Sequence, residues 1–122
     1  YSRIDYDREL ALVATVQVPN PAHRGFPEEQ IVGLAHYFLQ RDRRGAEFAL
    51  VVHDEWQRHG LGSQLMRGMI EAAKHQGLDY LEGQVLDSNY AMRKLLVRLG
   101  FQDLPYEDDA TLRRLWLALD KM

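Results

Sequence analysis

The sequence predicts an α+β domain built on a mixed, mostly antiparallel sheet with flanking helices. Three observations predict it. Three apolar runs rich in β-branched residues come first, each followed closely by turn residues, the pattern of an antiparallel meander. The hydrophobic period then changes from that of a strand to that of a helix, twice, with one strand-like run between. Finally, the helix between the third and fourth runs makes a β-α-β crossover, and such a crossover joins parallel strands.

The elements follow in order. Leu10 to Val18 (LALVATVQV) is the first strand, and Pro19-Asn20-Pro21 turns the chain. Residues 20–30 are polar, carry Gly25 and Pro27, and read as a loop. Ile31 to Leu39 (IVGLAHYFL) is the second strand, Gln40 to Gly45 a charged turn, and Ala46 to Val52 (AEFALVV) the third strand. Leu61, Leu65, Met66, Met69, Ile70 and Ala73 then recur at helical spacing, and Gly77 suits a left-handed cap. Tyr80 to Leu86 is the next strand. Ser88 or Asn89 caps a second helix, with Met92, Leu95, Leu96 and Leu99 on one face and Gly100 at its end. A short strand is expected to begin at Phe101, and Leu112 to Leu119 is the last strand.

Composition narrows the function. The 122 residues fit one domain, spanning residues 1–122, with one core. A formal net charge of −3 gives no basic footprint for nucleic acid, and the clusters Arg41-Asp42-Arg43-Arg44 and Arg113-Arg114 read as solvated surface. No cysteine is present, so disulfides, thiolate metal sites and a cysteine nucleophile are excluded from these residues. The histidines His53, His59 and His75 show no metal-ligand spacing, and no metal is expected. No apolar run reaches the length of a membrane span, and Tyr1 to Asp7 does not resemble a secretory leader. A cytoplasmic location fits these features.

The segment between the third strand and the first helix carries the most chemistry. A strand ends at Val52, a short loop follows, and a helix begins near Gly60-Leu61-Gly62. The first N–H groups of a helix lack partners and sit at the positive end of its dipole, so they attract an anion. Glycine lets backbone approach phosphate oxygens closely. Arg58, and His59 when protonated, would add charge-assisted contacts. The nucleotide P-loop needs Gly-Lys-Ser/Thr, which occurs nowhere. The dinucleotide fingerprint needs a small residue where Leu65 stands, in a sheet with more parallel units. The remaining pattern, Q/R-x-x-G-x-G/A after a strand, matches Gln57-Arg58-His59-Gly60-Leu61-Gly62 at every fixed position.

That pattern resembles the GNAT family of N-acetyltransferases. A second match is Asn89 followed by Met92, Leu95 and Leu99-Gly100-Phe101, similar to the family's second motif, in which an Asn is followed by a small or apolar residue, a Leu and a closing Gly-Phe. The strand order agrees from the family's second strand onward, so the resemblance implies a GNAT fold whose N-terminal strand and two helices precede this chain. It implies acetyl-CoA as co-substrate. The pantetheine arm would lie along Leu50, Val51 and Val52. The pyrophosphate would rest on Gln57, Arg58, His59, Gly60, Leu61 and Gly62, with Ser63 at the rim and Asn89 beside the arm. The two parallel strands should splay to admit the thioester.

Glu47 is the candidate general base. It is a charge one step into an apolar strand, on the face of Ala49 and Val51, where burial beside apolar neighbours would favour its neutral form. A solvated charge at a strand start is the alternative. Ala46-Glu47-Phe48-Ala49, with the opening Ile4-Asp5-Tyr6-Asp7-Arg8-Glu9-Leu10-Ala11, resembles bacterial protein lysine acetyltransferases fused to acyl-CoA synthetase-like regions. One departure stands out: the tyrosine that protonates the leaving thiolate in many family members would fall at Leu96. Tyr90 is out of register with that position. His36, alternating with Leu34 and Phe38, reads as a strand histidine, Trp56 as a lid on the sheet, Trp116 as packing in the last strand pair, and Glu107-Asp108-Asp109 as an acidic turn. Three functions remain open: acetylation of a protein lysine, acetylation of a small amine, and non-catalytic acyl-CoA sensing.

Overall fold

A computed structural model describes residues 2–5, 9–18, 28–42, 44–53 and 60–119, with backbone alone for 2–5, 17–18 and 28–29. Seven strands and two helices follow in the order β1 (Ser2–Asp5), β2 (Glu9–Val18), β3 (Glu28–Leu39), β4 (Gly45–Val52), α1 (Leu61–His75), β5 (Tyr80–Leu86), α2 (Tyr90–Arg98), β6 (Gln102–Pro105) and β7 (Leu112–Ala118). One sheet holds all seven strands in the order β1-β2-β3-β4-β5-β7-β6. Only β4 and β5 are parallel; every other pairing is antiparallel.

Two strand boundaries depart from the sequence reading. Ser2–Asp5 forms an edge strand on β2, and β3 begins at Glu28 rather than Ile31. Both stretches are mostly polar and gain their order from ladder bonds to β2, which periodicity alone does not reveal. The strand expected near Phe101 starts one residue later, at Gln102. The Pro19-Asn20-Pro21 turn and the Gly25 and Pro27 loop lie outside the described residues.

Alternation sorts the sheet into two faces. Ala35, Tyr37, Ala46, Phe48, Leu81 and Leu115 are buried on one face beneath α1 and α2, which contribute Leu65, Met66, Met69 and Leu96 to the same core. The other face of β3 and β4 carries Leu34, Phe38 and Val51, which are exposed. Both helices end as their glycines require. Gly77 and Gly100 have φ of 75° and 105°. The N–H of Leu78 bonds to the Ala73 carbonyl, and that of Phe101 to the Leu96 carbonyl, which closes each last turn in a Schellman motif. Among the described residues, no helix is long and apolar enough to cross a membrane.

Candidate functional site

The parallel pair is closed at one end and open at the other. β4 and β5 are in register only at Gly45–Tyr80, Ala46–Leu81 and Glu47–Glu82. Beyond Glu47, β4 stays paired with β3 to Val52, but its other edge has no strand partner among the described residues. The ladder stops where the Phe48 ring lies against Gly83, a position where a Cβ would meet that ring at 2.7 Å. Phe48 also meets Phe101 edge to face, with 5.3 Å between ring centroids. The resulting splay leaves a row of main-chain groups on β4 that an extended ligand can satisfy.

The start of α1 stands over the open end. Gly60 precedes the helix with φ of 75°, and the first helical bond runs from the Gln64 N–H to the Gly60 carbonyl at 3.1 Å. Among the described residues no side chain caps α1, and its first turn contains no acidic residue. The N–H groups of Leu61, Gly62 and Ser63 have no helical acceptor, and no carboxylate of the helix's own first turn offsets the dipole there. Such an end attracts phosphate. Gly62 faces the tips of Leu50, Val52 and Leu95 at 3.4–3.7 Å from where its Cβ would stand, so the helix start is seated on the end of β4. Leu50 and Val52 are partly buried beneath it, whereas Val51 is exposed on the opposite face. Gln57, Arg58 and His59, together with Trp56, lie outside the described residues.

Asn89 is the N-cap of α2, its Oδ1 accepting from the Met92 N–H at 3.2 Å. That bond occupies the carbonyl side of the exposed amide and leaves Nδ2 as a donor. Tyr90 is exposed, with the Arg93 guanidinium 5.7 Å from its ring centroid. Leu96 is fully buried in the core and offers no proton.

At the apex of the splay, Glu47 and Glu82 face the same cavity of about 510 Å³, which Gln84, Tyr106 and Arg114 also line. Glu47 is half-buried and has no hydrogen-bond or ion-pair partner among the described residues. Its surroundings correct one expectation: Ala49 and Val51, on its face, are exposed, so apolar burial by strand neighbours is not what distinguishes it. The reason is which face the helices cover. They bury Ala46 and Phe48, and Glu47 points the other way.

Glu82 is held on both oxygens. Arg114 Nε donates to Oε2 at 2.9 Å, with Nη2 of the same guanidinium 2.8 Å from that oxygen, and Gln40 Nε2 donates to Oε1. The Tyr80 hydroxyl lies 3.0 Å from both Gln40 Oε1 and Asp42 Oδ2. Burial and the Asp42 carboxylate push the Tyr80 phenol up to about 12. Tyr80 also stacks on Trp116, with centroids 6.0 Å apart. Gln84 Nε2 donates to the Tyr106 hydroxyl at 3.3 Å on the cavity wall.

Glu82 and Tyr106 line this cavity and were passed over in the sequence reading, whereas Arg113-Arg114, read there as solvated surface, is instead tied down, Arg113 to Asp103 and Arg114 to Glu82 on the cavity wall. One signal was present. Glu82 and Gln84 are alternate polar residues in a strand flanked on both sides, where a solvated face is not the default. His36 stands on the same open face beside Phe38, with ring centroids 5.9 Å apart. Among the described residues, no group of three or more His, Asp or Glu is placed to hold a metal ion.

Comparison with known proteins agrees with this geometry. Residues 5–101 match the profile of the acetyltransferase (GNAT) family. The chain is 32% identical over 108 residues to the acetyltransferase PA5475 of Pseudomonas aeruginosa, covering 88% of this chain and 54% of that protein. It is 44% identical over 55 residues to the acetyltransferase Pat of Mycolicibacterium smegmatis, covering 45% of this chain and 16% of that protein. The solved GNAT domain of S. lividans PAT superimposes with a TM-score of 0.75 at 21% identity, over 94% of this chain and 64% of that one. The chain thus spans about half the length of the first of these relatives, and less of the second.

Proposed function

Since the chain belongs to the acetyltransferase (GNAT) family, we propose that it moves an acetyl group from acetyl-CoA to an amine, and that the amine is the side chain of a protein lysine. The splay of β4 from β5 after Glu47 carries this reading, because it joins a phosphate-attracting helix start to a cavity where Glu47 has no partner among the described residues. In this reading the pyrophosphate rests on the N–H groups of Leu61, Gly62 and Ser63, joined by Gln57, Arg58, His59 and Gly60. The pantetheine arm runs along β4 at Leu50, Val51 and Val52, with Asn89 Nδ2 beside it. No metal takes part.

The chemistry is direct transfer. A lysine ammonium has no lone pair, and its usual pKa of ~10.4 keeps it protonated near neutrality. Glu47 takes that proton, directly or through one water. The neutral nitrogen attacks the thioester carbonyl carbon, and a β4 main-chain N–H stabilises the oxyanion that forms. The C–N bond forms, the C–S bond breaks, the attacking nitrogen gives up its second proton to solvent, and coenzyme A leaves as a thiolate. A thiol pKa near ~8.5 makes that leaving group tolerable without a dedicated acid, and solvent returns the proton. Leu96 therefore need not be a tyrosine.

The choice of lysine draws on the Ala46-Glu47-Phe48-Ala49 strand and on the similarity to Pat. Incubating the protein with acetyl-CoA and a mixture of lysine-bearing proteins and free amino acids tests it by mass spectrometry. Acetyl groups are expected on lysine side chains of the proteins. Acetylation confined to free amino acids would overturn the lysine reading while leaving acetyl transfer in place.

A further inference from the structure

The apex of the splay holds two carboxylates, and the structure treats them differently. Glu47 and Glu82 are the last register pair before β4 and β5 diverge, and both line the same cavity. Adjacent strands lie about 4.8 Å apart, so these two side chains are near neighbours. Two like charges at that separation oppose each other's ionisation. Among the described residues Glu47 has no ion-pair partner, whereas Glu82 has one: the Arg114 guanidinium sits on Glu82 Oε2, and Gln40 holds Oε1. Gln40 is in turn held by Tyr80.

We propose that Arg114 is a positioning residue that governs proton release from Glu47 by neutralising Glu82 at the apex of the splay. The proposal rests on the reading of Glu47 as the base. Its physical content is a charge balance. With Arg114 present, the Glu82 carboxylate is offset and turned toward β7, and Glu47 faces the cavity with no ion-pair partner among the described residues. Without Arg114, an unpaired anion stands beside Glu47 and holds its proton on. The other titratable or charged groups around Glu47 come from every neighbouring element: His36 on β3, Tyr80 on β5, Asp42 in the β3–β4 turn, and Tyr106, Glu107 and Asp108 in the β6–β7 turn. Of these, Asp42, Glu107 and Asp108 are common to every variant, so the differences between variants report Arg114 and Glu82.

Two readouts separate the proposal from the reading beneath it. The first is direct titration of the Glu47 carboxyl carbon by ¹³C NMR, its resonance identified by its loss in Glu47→Gln. In Arg114→Gln the Glu47 midpoint should rise by about half to one pH unit, the size expected for one charge a few ångströms away in a partly solvated site. Arg114→Lys should stay near the native value. The double variant Arg114→Gln/Glu82→Gln should return toward it, and Glu82→Gln alone should move the midpoint down, because Arg114 is then left unopposed. An unchanged midpoint in Arg114→Gln overturns the proposal, as does a shift that survives in the double variant. If Arg114→Gln does not fold, Glu82→Gln decides alone: a midpoint that fails to fall overturns it. The second readout is the pH profile of kcat/KM, whose acid limb should move with the NMR midpoint. An NMR shift with no movement of the limb leaves the coupling intact and removes Glu47 as the base.

Discussion

The two sides of the splayed strands are built from different materials. The side assigned to coenzyme A is mainly main chain: the edge of β4 and the first N–H groups of α1, next to Gly60 in a left-handed conformation, with the Asn89 amide as a side-chain contact. The side assigned to the acceptor consists of side chains from β4, β5, β7 and two turns: Glu47, Glu82, Arg114, Gln40 and Tyr106. A main-chain site needs a local conformation, and a short run of sequence encodes that. A side-chain site needs distant residues to converge, and only the sheet order β4-β5-β7 brings Glu47, Glu82 and Arg114 together. The two sides should therefore respond independently to substitution.

The largest effect is expected at the closed end of the seam. A Cβ at Gly45 would fall 2.2 Å from the Tyr80 ring, with no space to receive it. Gly45→Ala should destabilise the fold by about 1–3 kcal/mol, as overpacking usually does. Chemical denaturation checks this. Because Tyr80 supports Gln40, and Gln40 supports Glu82, acetyl transfer should suffer more than coenzyme A affinity.

Ser63→Asp probes the other side and should separate stability from binding. A carboxylate in the first turn of α1 suits the helix dipole and should stabilise the free protein by about 0.3–1 kcal/mol. The same charge should repel pyrophosphate and weaken coenzyme A about tenfold, or ~1.4 kcal/mol. A variant that is more stable and binds coenzyme A as well as before would remove the helix start from the site. Gly60→Ala is smaller and acts in one direction only. At φ of 75° an L-residue is strained, so stability should fall by about 1 kcal/mol, read as a lower denaturation midpoint.

The smallest effect is on acid stability. Burial pushes the Asp103 carboxyl up, but hydrogen bonds from Arg113 and Arg93, each at 2.8 Å, outweigh it and hold the group below its ordinary value of 3.8. A depressed folded-state value adds stability above pH 3.8 that is lost as pH falls through the folded value. Asp103→Asn should flatten the fall in melting temperature below about pH 4. It should leave both sides of the splay unaltered, since Asp103 joins α2 to β6 and β7 and does not line the cavity.

How much was legible follows the same division. The glycine caps at Gly77 and Gly100, the Asn89 cap and the single parallel crossover all declare themselves over short stretches, and the structure has each of them. The Gly60 to Gly62 turn is likewise a local feature. Ser2–Asp5 was not legible because an edge strand of four residues takes its order from its neighbour. Nor was the partnership of Glu82 with Arg114, separated by 32 residues in sequence and adjacent only through β7. The orientation of Glu47 was half legible. Alternation put it with Ala49 and Val51, but which face the helices would cover needed the fold.

The division of labour is tested most directly by pairing coenzyme A titration calorimetry with turnover in Glu47→Gln. Binding by the variant should stay within about twofold of the native protein, while kcat falls by about a hundredfold or more at neutral pH, the usual contribution of a general base. Turnover that survives unchanged, or affinity that falls in step with the rate, would contradict the account.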